Sequence, residues 1–147
     1  MKIRKAVFIV TYAIAKGKIK YLILKRKLHW KGWEFPKGGV ERFELKKSAV
    51  KRELKEELGL SPIKINSFSE KGIYKYNKEY ADRKGFVGQS YKLYSAEVKF
   101  SKKIKLDKYE HSDYKWMDFN TTIKKLTWPN QRKCLKIVNK FLSSDKV

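Results

Sequence analysis

Residues 3–15, IRKAVFIVTYAIA, are almost unbroken in β-branched and apolar side chains, the pattern of a buried strand. KGK at 16–18 is a turn, and IKYLILKR at 19–26 returns, so the chain opens with a hairpin. The next segment, HWKGWEFPKGGVE, is punctuated by Gly32, Pro36, Gly38 and Gly39 and reads as a loop holding a short strand at Trp33–Phe35. Residues 45–58 change to helical spacing and stop at Gly59, a C′ glycine with Pro62 soon after. Strands follow at 63–76 and 87–100, joined by the polar NKEYADRKG, and again at 114–119. Asp118 or Asn120 can cap a short helix before Leu126. The last helix, 129–142, starts on Pro129 and sets Leu135, Val138 and Leu142 on one face. This order predicts an α/β fold, a mixed β-sheet with helices on its faces. Without a repeat or a linker, residues 1–147 form one expected domain.

Composition narrows the class. An apolar content of 41% with 14% aromatics belongs to a globular chain. The only cysteine, Cys134, excludes an internal disulfide and a cysteine-based zinc site. No apolar run has the length of a membrane span, and the N-terminal stretch lacks a small-residue cleavage site, so no membrane partner is expected and the location is cytoplasmic. Lys and Arg number 37 against 15 acids, a net charge of +22, which favours anionic partners such as nucleotides, polyphosphates or RNA. A lysine-biased composition gives the same number, so the charge is a pointer and no more.

In such a basic chain, the cluster Glu53, Glu56 and Glu57 stands out. On a helix these three share a sector about 100° wide, beside an apolar stripe of Val50, Leu54 and Leu58 that would dock on the sheet. Ala49 leaves room within that sector, and Arg52 flanks it. Three adjacent carboxylates raise one another's pKa unless a cation lies between them, and Mg²⁺ or Mn²⁺ suits an all-oxygen set. Taken alone, RELKEELG is more often a solvated face with Glu–Lys pairs.

The wider spacing decides between these readings. Gly38, five residues, Glu44, seven residues, then Arg52-Glu53-Leu54-x-Glu56-Glu57-x-Gly59-Leu60 resembles the Nudix box at every specified position over 38–60. The resemblance implies a Nudix-like α/β/α sandwich and a metal-dependent enzyme that hydrolyses phosphoanhydride bonds. It implies that Glu53, Glu56 and Glu57 are catalytic metal ligands and that the Gly38 carbonyl lies near the metal. It also implies that Glu44 and Arg52 pair to brace the loop, with Gly59 ending the helix. The sequence offers no evident covalent nucleophile, and metal-assisted attack by water needs none.

Segments outside the box narrow the branch. WEFPKGG at 33–39 resembles the lead-in of diadenosine tetraphosphate hydrolases and bacterial RNA 5′-pyrophosphohydrolases, and implies that Lys37 faces the phosphates. YEHSDYKWM at 109–117 resembles a segment of the tetraphosphate hydrolases that would bring Glu110 to the metal, as ligand or general base, with His111 structural. FVGQSYKLYSAEV at 86–98 is a looser match, and Tyr74, Tyr76, Tyr91 and Tyr114 are the candidates to stack on a base. One departure is Phe43 before Glu44, where the family usually has glycine. The implied activity is asymmetric cleavage of a dinucleoside tetraphosphate to ATP and AMP. RNA 5′-triphosphate pyrophosphohydrolysis and nucleoside triphosphate hydrolysis are the alternatives. A nucleotide-sensing or RNA-binding module without turnover is disfavoured by the intact carboxylate set.

Overall fold

The computed structural model describes residues 2–78 and 80–144. Seven strands and three α-helices alternate among them: β1 (Lys2–Ala15), β2 (Lys18–Arg26), β3 (Gly32–Glu34), β4 (Lys37–Gly39), α1 (Lys46–Leu58), β5 (Lys64–Lys75), β6 (Phe86–Glu97), β7 (His111–Met117), α2 (Phe119–Lys125) and α3 (Pro129–Ser144). One mixed sheet runs β3–β2–β1–β6–β5, with β4 added to β1 and β7 to β2. β1 lies parallel to β6 and antiparallel to β2 and β4.

The strand period of two divides β1 between two cores. Val7 and Ile9 face α1 and pack with Val50, Leu54 and Leu58. Phe8, Val10 and Tyr12 face the opposite side and pack with Leu126, Leu135 and Val138 from the end of α2 and from α3. Helices therefore cover both faces, which is why β1 reads as a continuous apolar run. Truncating Leu54, fully buried in this layer, to Ala would cost about 2–5 kcal/mol. α1 ends as expected at Gly59, at φ 68°, with its N–H on the Lys55 carbonyl. Asp118 caps α2 by accepting from the Thr121 N–H at 2.9 Å.

A fork in the sheet positions the site. β1 bonds β2 only over Tyr12–Ala15, and further back the same edge is taken by β4 at Ala6–Phe8. Where β2 diverges, β3 bonds it over Leu24–Arg26. The segment 32–39 is thus wedged between the two arms. The Ile9 N–H bonds the Pro36 carbonyl at 2.9 Å, and the Phe35 N–H bonds Gln131 Oε1 of α3 at 2.8 Å. This explains a strand that composition hid, because Lys37-Gly38-Gly39 has no β propensity and pairs only through the free edge of β1. Similarly, β7 begins at His111 and not at 114, since β2 offers a pairing edge through Arg26.

Candidate active site

Docking of the α1 stripe turns its carboxylates towards the wedge. Glu53 lies directly behind Gly38, where any Cβ would overlap its carboxyl group, so only glycine permits the approach. Arg52 ties this assembly together. Its guanidinium donates to both Glu44 oxygens at 2.8 and 2.9 Å, to the Gly39 carbonyl at 2.7 Å and to Glu53 Oε1 at 2.8 Å. The Glu44–Arg52 pair therefore links loop to helix, and Arg52 holds the Glu44 carboxyl at about 2. Glu56 is the outermost of the three, 58% exposed, with Arg52 Nη1 at 3.3 Å.

Glu53 and Glu57 are perturbed in the opposite direction. Burial, moderated by Arg52 and reinforced by Glu56 and Glu110, pushes Glu53 up to about 6. Burial, then repulsion from Glu110, Asp107 and Glu53, pushes Glu57 up to about 8. Glu57 Oε2 is buried and has no hydrogen-bond partner within the protein. Oxygen atoms of Glu57 and Glu110 lie within 4.8 Å of each other and of a ring nitrogen of His111. An orphaned buried oxygen among repelling acids fits a divalent cation, whose charge would satisfy both conditions at once. Glu53, Glu56, Glu57, Gly38 and Glu110 line one small cavity of about 150 Å³ with Arg4, Arg26, Lys37 and Arg83.

Behind this cavity is a buried ionic cluster that sequence reasoning did not find. Glu34, fully buried on β3, receives Arg26 Nη1 at 3.2 Å and His111 Nε2 at 2.7 Å, with Lys37 Nζ at 3.3 Å from its other oxygen. Burial raises its pKa, but Lys37, His111 and Arg26 outweigh that and hold it at about 2. His111 is thus bonded into the cluster, consistent with a structural part. Arg26 also reaches Glu110 Oε2 at 3.8 Å, and the Glu110 carbonyl accepts from the Lys27 N–H, which fixes that loop over the fork. The signal for Glu34 was present in WEFPKGG, since an acid between two bulky aromatics in a buried strand needs cationic partners.

A cleft of about 500 Å³ opens on the other side of Lys37. Tyr74, Tyr76, Tyr80, Trp30 and Trp128 form its aromatic walls, and Asn130 and Gln131 close one end. Trp30 and Trp128 meet edge to face at 5.2 Å, and the Arg83 guanidinium lies 5.4 Å from the Tyr76 ring centre. Lys37 and Arg83 line both this cleft and the carboxylate cavity, so the two adjoin.

The four tyrosine candidates separate. Tyr74 and Tyr76 line the cleft. Tyr91 does not, because its buried ring stacks on Phe8 at 4.1 Å and its hydroxyl donates to Glu70 at 3.1 Å. It supports the cleft wall from behind, since Phe8 itself faces the cleft. Tyr114 lies on the α1 side of the sheet, its hydroxyl donating to the Lys102 carbonyl. Trp30, Tyr80, Arg83 and Trp128 were not anticipated, because they reach the cleft from three separate loops.

Comparison with known proteins agrees with this geometry. The NUDIX domain model matches residues 2–136. An RNA pyrophosphohydrolase of Nitratiruptor sp. is 32% identical over 128 residues, covering 84% of this chain and 83% of that protein. An Ap4A hydrolase of C. elegans, solved as a binary complex, superposes with a TM-score of 0.78 at 25% identity, covering 97% of this chain and 99% of that one. The dihydroneopterin triphosphate pyrophosphohydrolase of E. coli shares the fold, with a TM-score of 0.72 at 20% identity over 92% of this chain and 96% of its own. A sheet between helices, with an acidic helix packed against a glycine-rich wedge, is the arrangement that, by these comparisons, the chain shares with hydrolases of phosphoanhydride bonds. The chain belongs to the NUDIX family and is a Nudix pyrophosphohydrolase. Among the described residues, no helix is long and apolar enough to cross a membrane.

Proposed function

We propose that the enzyme cleaves dinucleoside tetraphosphates asymmetrically, with Mg²⁺ or Mn²⁺, giving ATP and AMP from the diadenosine compound. The observation that carries this reading is the aromatic cleft that shares Lys37 and Arg83 with the carboxylate cavity. A base seated among Tyr74, Tyr76 and Trp128 leaves its phosphates to pass Lys37 and Arg83. The cleft thereby fixes which phosphate lies over the carboxylates, and cleavage off the centre of the bridge follows. In this reading Glu53, Glu56, Glu57 and the Gly38 carbonyl hold the cation. Bound there, a divalent ion would neutralise the polyphosphate and lower the pKa of a water molecule. Glu110, 25% exposed and lining the same cavity, is the group that would accept a proton from the attacking water. Glu34 keeps Lys37 in register from behind, and Glu44 with Arg52 keeps the loop against α1.

A second reading, removal of pyrophosphate from triphosphorylated RNA, is favoured by the name of the Nitratiruptor relative. The two are separated by supplying diadenosine tetraphosphate and 5′-triphosphorylated RNA at equal concentration with Mg²⁺ and resolving the products. The first reading expects faster loss of the dinucleotide, with ATP and AMP in equal amounts. Two ADP as product, or faster turnover of the RNA, would overturn it.

A further inference from the structure

A groove of about 660 Å³ adjoins the carboxylate cavity. Arg4 and Glu53 line both spaces, whereas the groove shares no lining residue with the aromatic cleft, so a phosphate run over the cavity would lead from cleft to groove. Gln89, buried on β6, accepts from Arg4 Nη1 at 3.2 Å and from the Tyr76 hydroxyl at 3.0 Å, which couples the position of Arg4 to a wall of the cleft. The groove is cationic, with Arg4, Lys5, Arg42 and Lys46 on its sides. Its three acids, Glu41, Glu44 and Glu53, are turned onto Arg52, at 3.7, 2.8 and 2.8 Å.

Phe43 stands at the rim of this groove, where the sequence departs from the usual glycine. The turn is closed by the Glu44 N–H on the Glu41 carbonyl at 3.0 Å, and Phe43 occupies its third position at φ 64°. Such a conformation favours glycine, so phenylalanine adds strain there. The ring does not contribute to the core, since Phe43 is 93% exposed. The Arg42 guanidinium lies over the ring, 5.0 Å from its centre, so a cation covers one face of an otherwise exposed aromatic. That pairing offers a face for a base and a charge for its phosphate.

We propose that Phe43, Arg42 and Arg4 form a second nucleotide subsite, which takes the nucleotide unit beyond the scissile bond from the one in the aromatic cleft. The inference rests on the polyphosphate reading above. The ligand chemistry is a base and a phosphate joined to the far end of the phosphate run. Two sources supply it: the second nucleoside of a dinucleoside polyphosphate, and the second nucleotide of a triphosphorylated RNA.

Affinity in a chelating buffer, where no turnover occurs, tests the subsite separately from catalysis. Calorimetry would compare diadenosine tetraphosphate with adenosine tetraphosphate, and a triphosphorylated dinucleotide with ATP. Stacking of one base on Phe43 should make the two-nucleotide member of one pair bind roughly tenfold tighter. Phe43→Gly removes the ring and suits the positive φ, so it folds and should erase the advantage, whereas Phe43→Trp should keep it. The pair that shows the advantage identifies the source. Equal affinities within both pairs, or an advantage that survives Phe43→Gly, would overturn the subsite. Failure of the metal-loaded protein to turn over either polyphosphate would instead overturn the parent reading.

Discussion

Without a cation, Glu57 should work against stability at neutral and alkaline pH. Its carboxyl is raised from 4.5 to about 8, first by burial and then by Glu110, Asp107 and Glu53. A carboxyl raised on folding is most favourable while protonated. The stability it leaves intact below pH 4.5 is lost as pH rises through about 8. At about 1.4 kcal/mol per pH unit, the full interval is a ceiling of about 5 kcal/mol. The group keeps some solvent and shares its repulsion with other acids, so about 2 kcal/mol is the working figure. Glu57→Gln keeps the shape and removes the charge. In EDTA at pH 8.5 the variant should therefore melt about 4–8 °C above wild type, for a chain of this size. The gap should close by pH 5, where the wild-type carboxyl is protonated. Added Mg²⁺ should raise the wild type and leave the variant nearly unchanged. Differential scanning calorimetry at both pH values, with and without metal, reads all four states. A variant no more stable than wild type at pH 8.5 in EDTA would refute the claim that Glu57 is a repelled acid awaiting a cation. The same variant should lose about two to four decades of kcat, since a removed ligand costs about 3–5 kcal/mol in the transition state.

Arg52→Ala should destabilise the protein by about 3 kcal/mol and expose loop 40–45 to protease, because Glu44, Glu53 and the Gly39 carbonyl lose one shared donor; wild-type protease resistance would remove it as the brace. Glu110→Gln should lower kcat with KM held, and an unchanged rate would take it out of the reaction. Glu34→Gln should cost about 3–5 kcal/mol by leaving Arg26 and Lys37 facing a neutral group in the interior. Because Glu34 is held at about 2, the wild type should keep that contribution above pH 4.5 and lose it as pH falls towards 2, a loss absent in the variant. Trp128→Ala should raise KM roughly tenfold through a lost stacking wall, and unaltered KM would place the base elsewhere.

The elements that sequence made legible are those whose signals are local. Gly59 stops α1 because one left-handed residue ends a helix wherever it falls, and the unbroken apolar run of β1 marks a buried strand, which helices cover on both faces. The carboxylate spacing is equally local, as a single helix turns all three acids to one side. What escaped depends on the fork. β4 has no strand composition of its own, and Glu34 acquires its partners only when β3, β7 and the end of β2 converge. Among the tyrosines, Tyr74 and Tyr76 are two residues apart on and just after β5 and share the cleft. Tyr91 fails for a reason invisible in one strand: it lies over Gly72 of its neighbour, where a Cβ would meet the Tyr91 ring, and so fills the layer behind Phe8.

The charge distribution then has a physical logic. The acids of the site either repel one another or are consumed by specific cations. Arg52 is committed to Glu44 and Glu53, and Arg26 to Glu34. Lys37 is different, because it pairs with Glu34 and also lines both the cleft and the cavity. Arg83, on a short turn far along the chain, completes the same passage from the opposite bank. Under the proposed reading, a polyphosphate entering there would meet both cations beside the carboxylates, whose own negative charge would otherwise repel it. The net charge of +22 would draw such an anion to the surface, and Lys37 and Arg83 beside the acids would admit it to them.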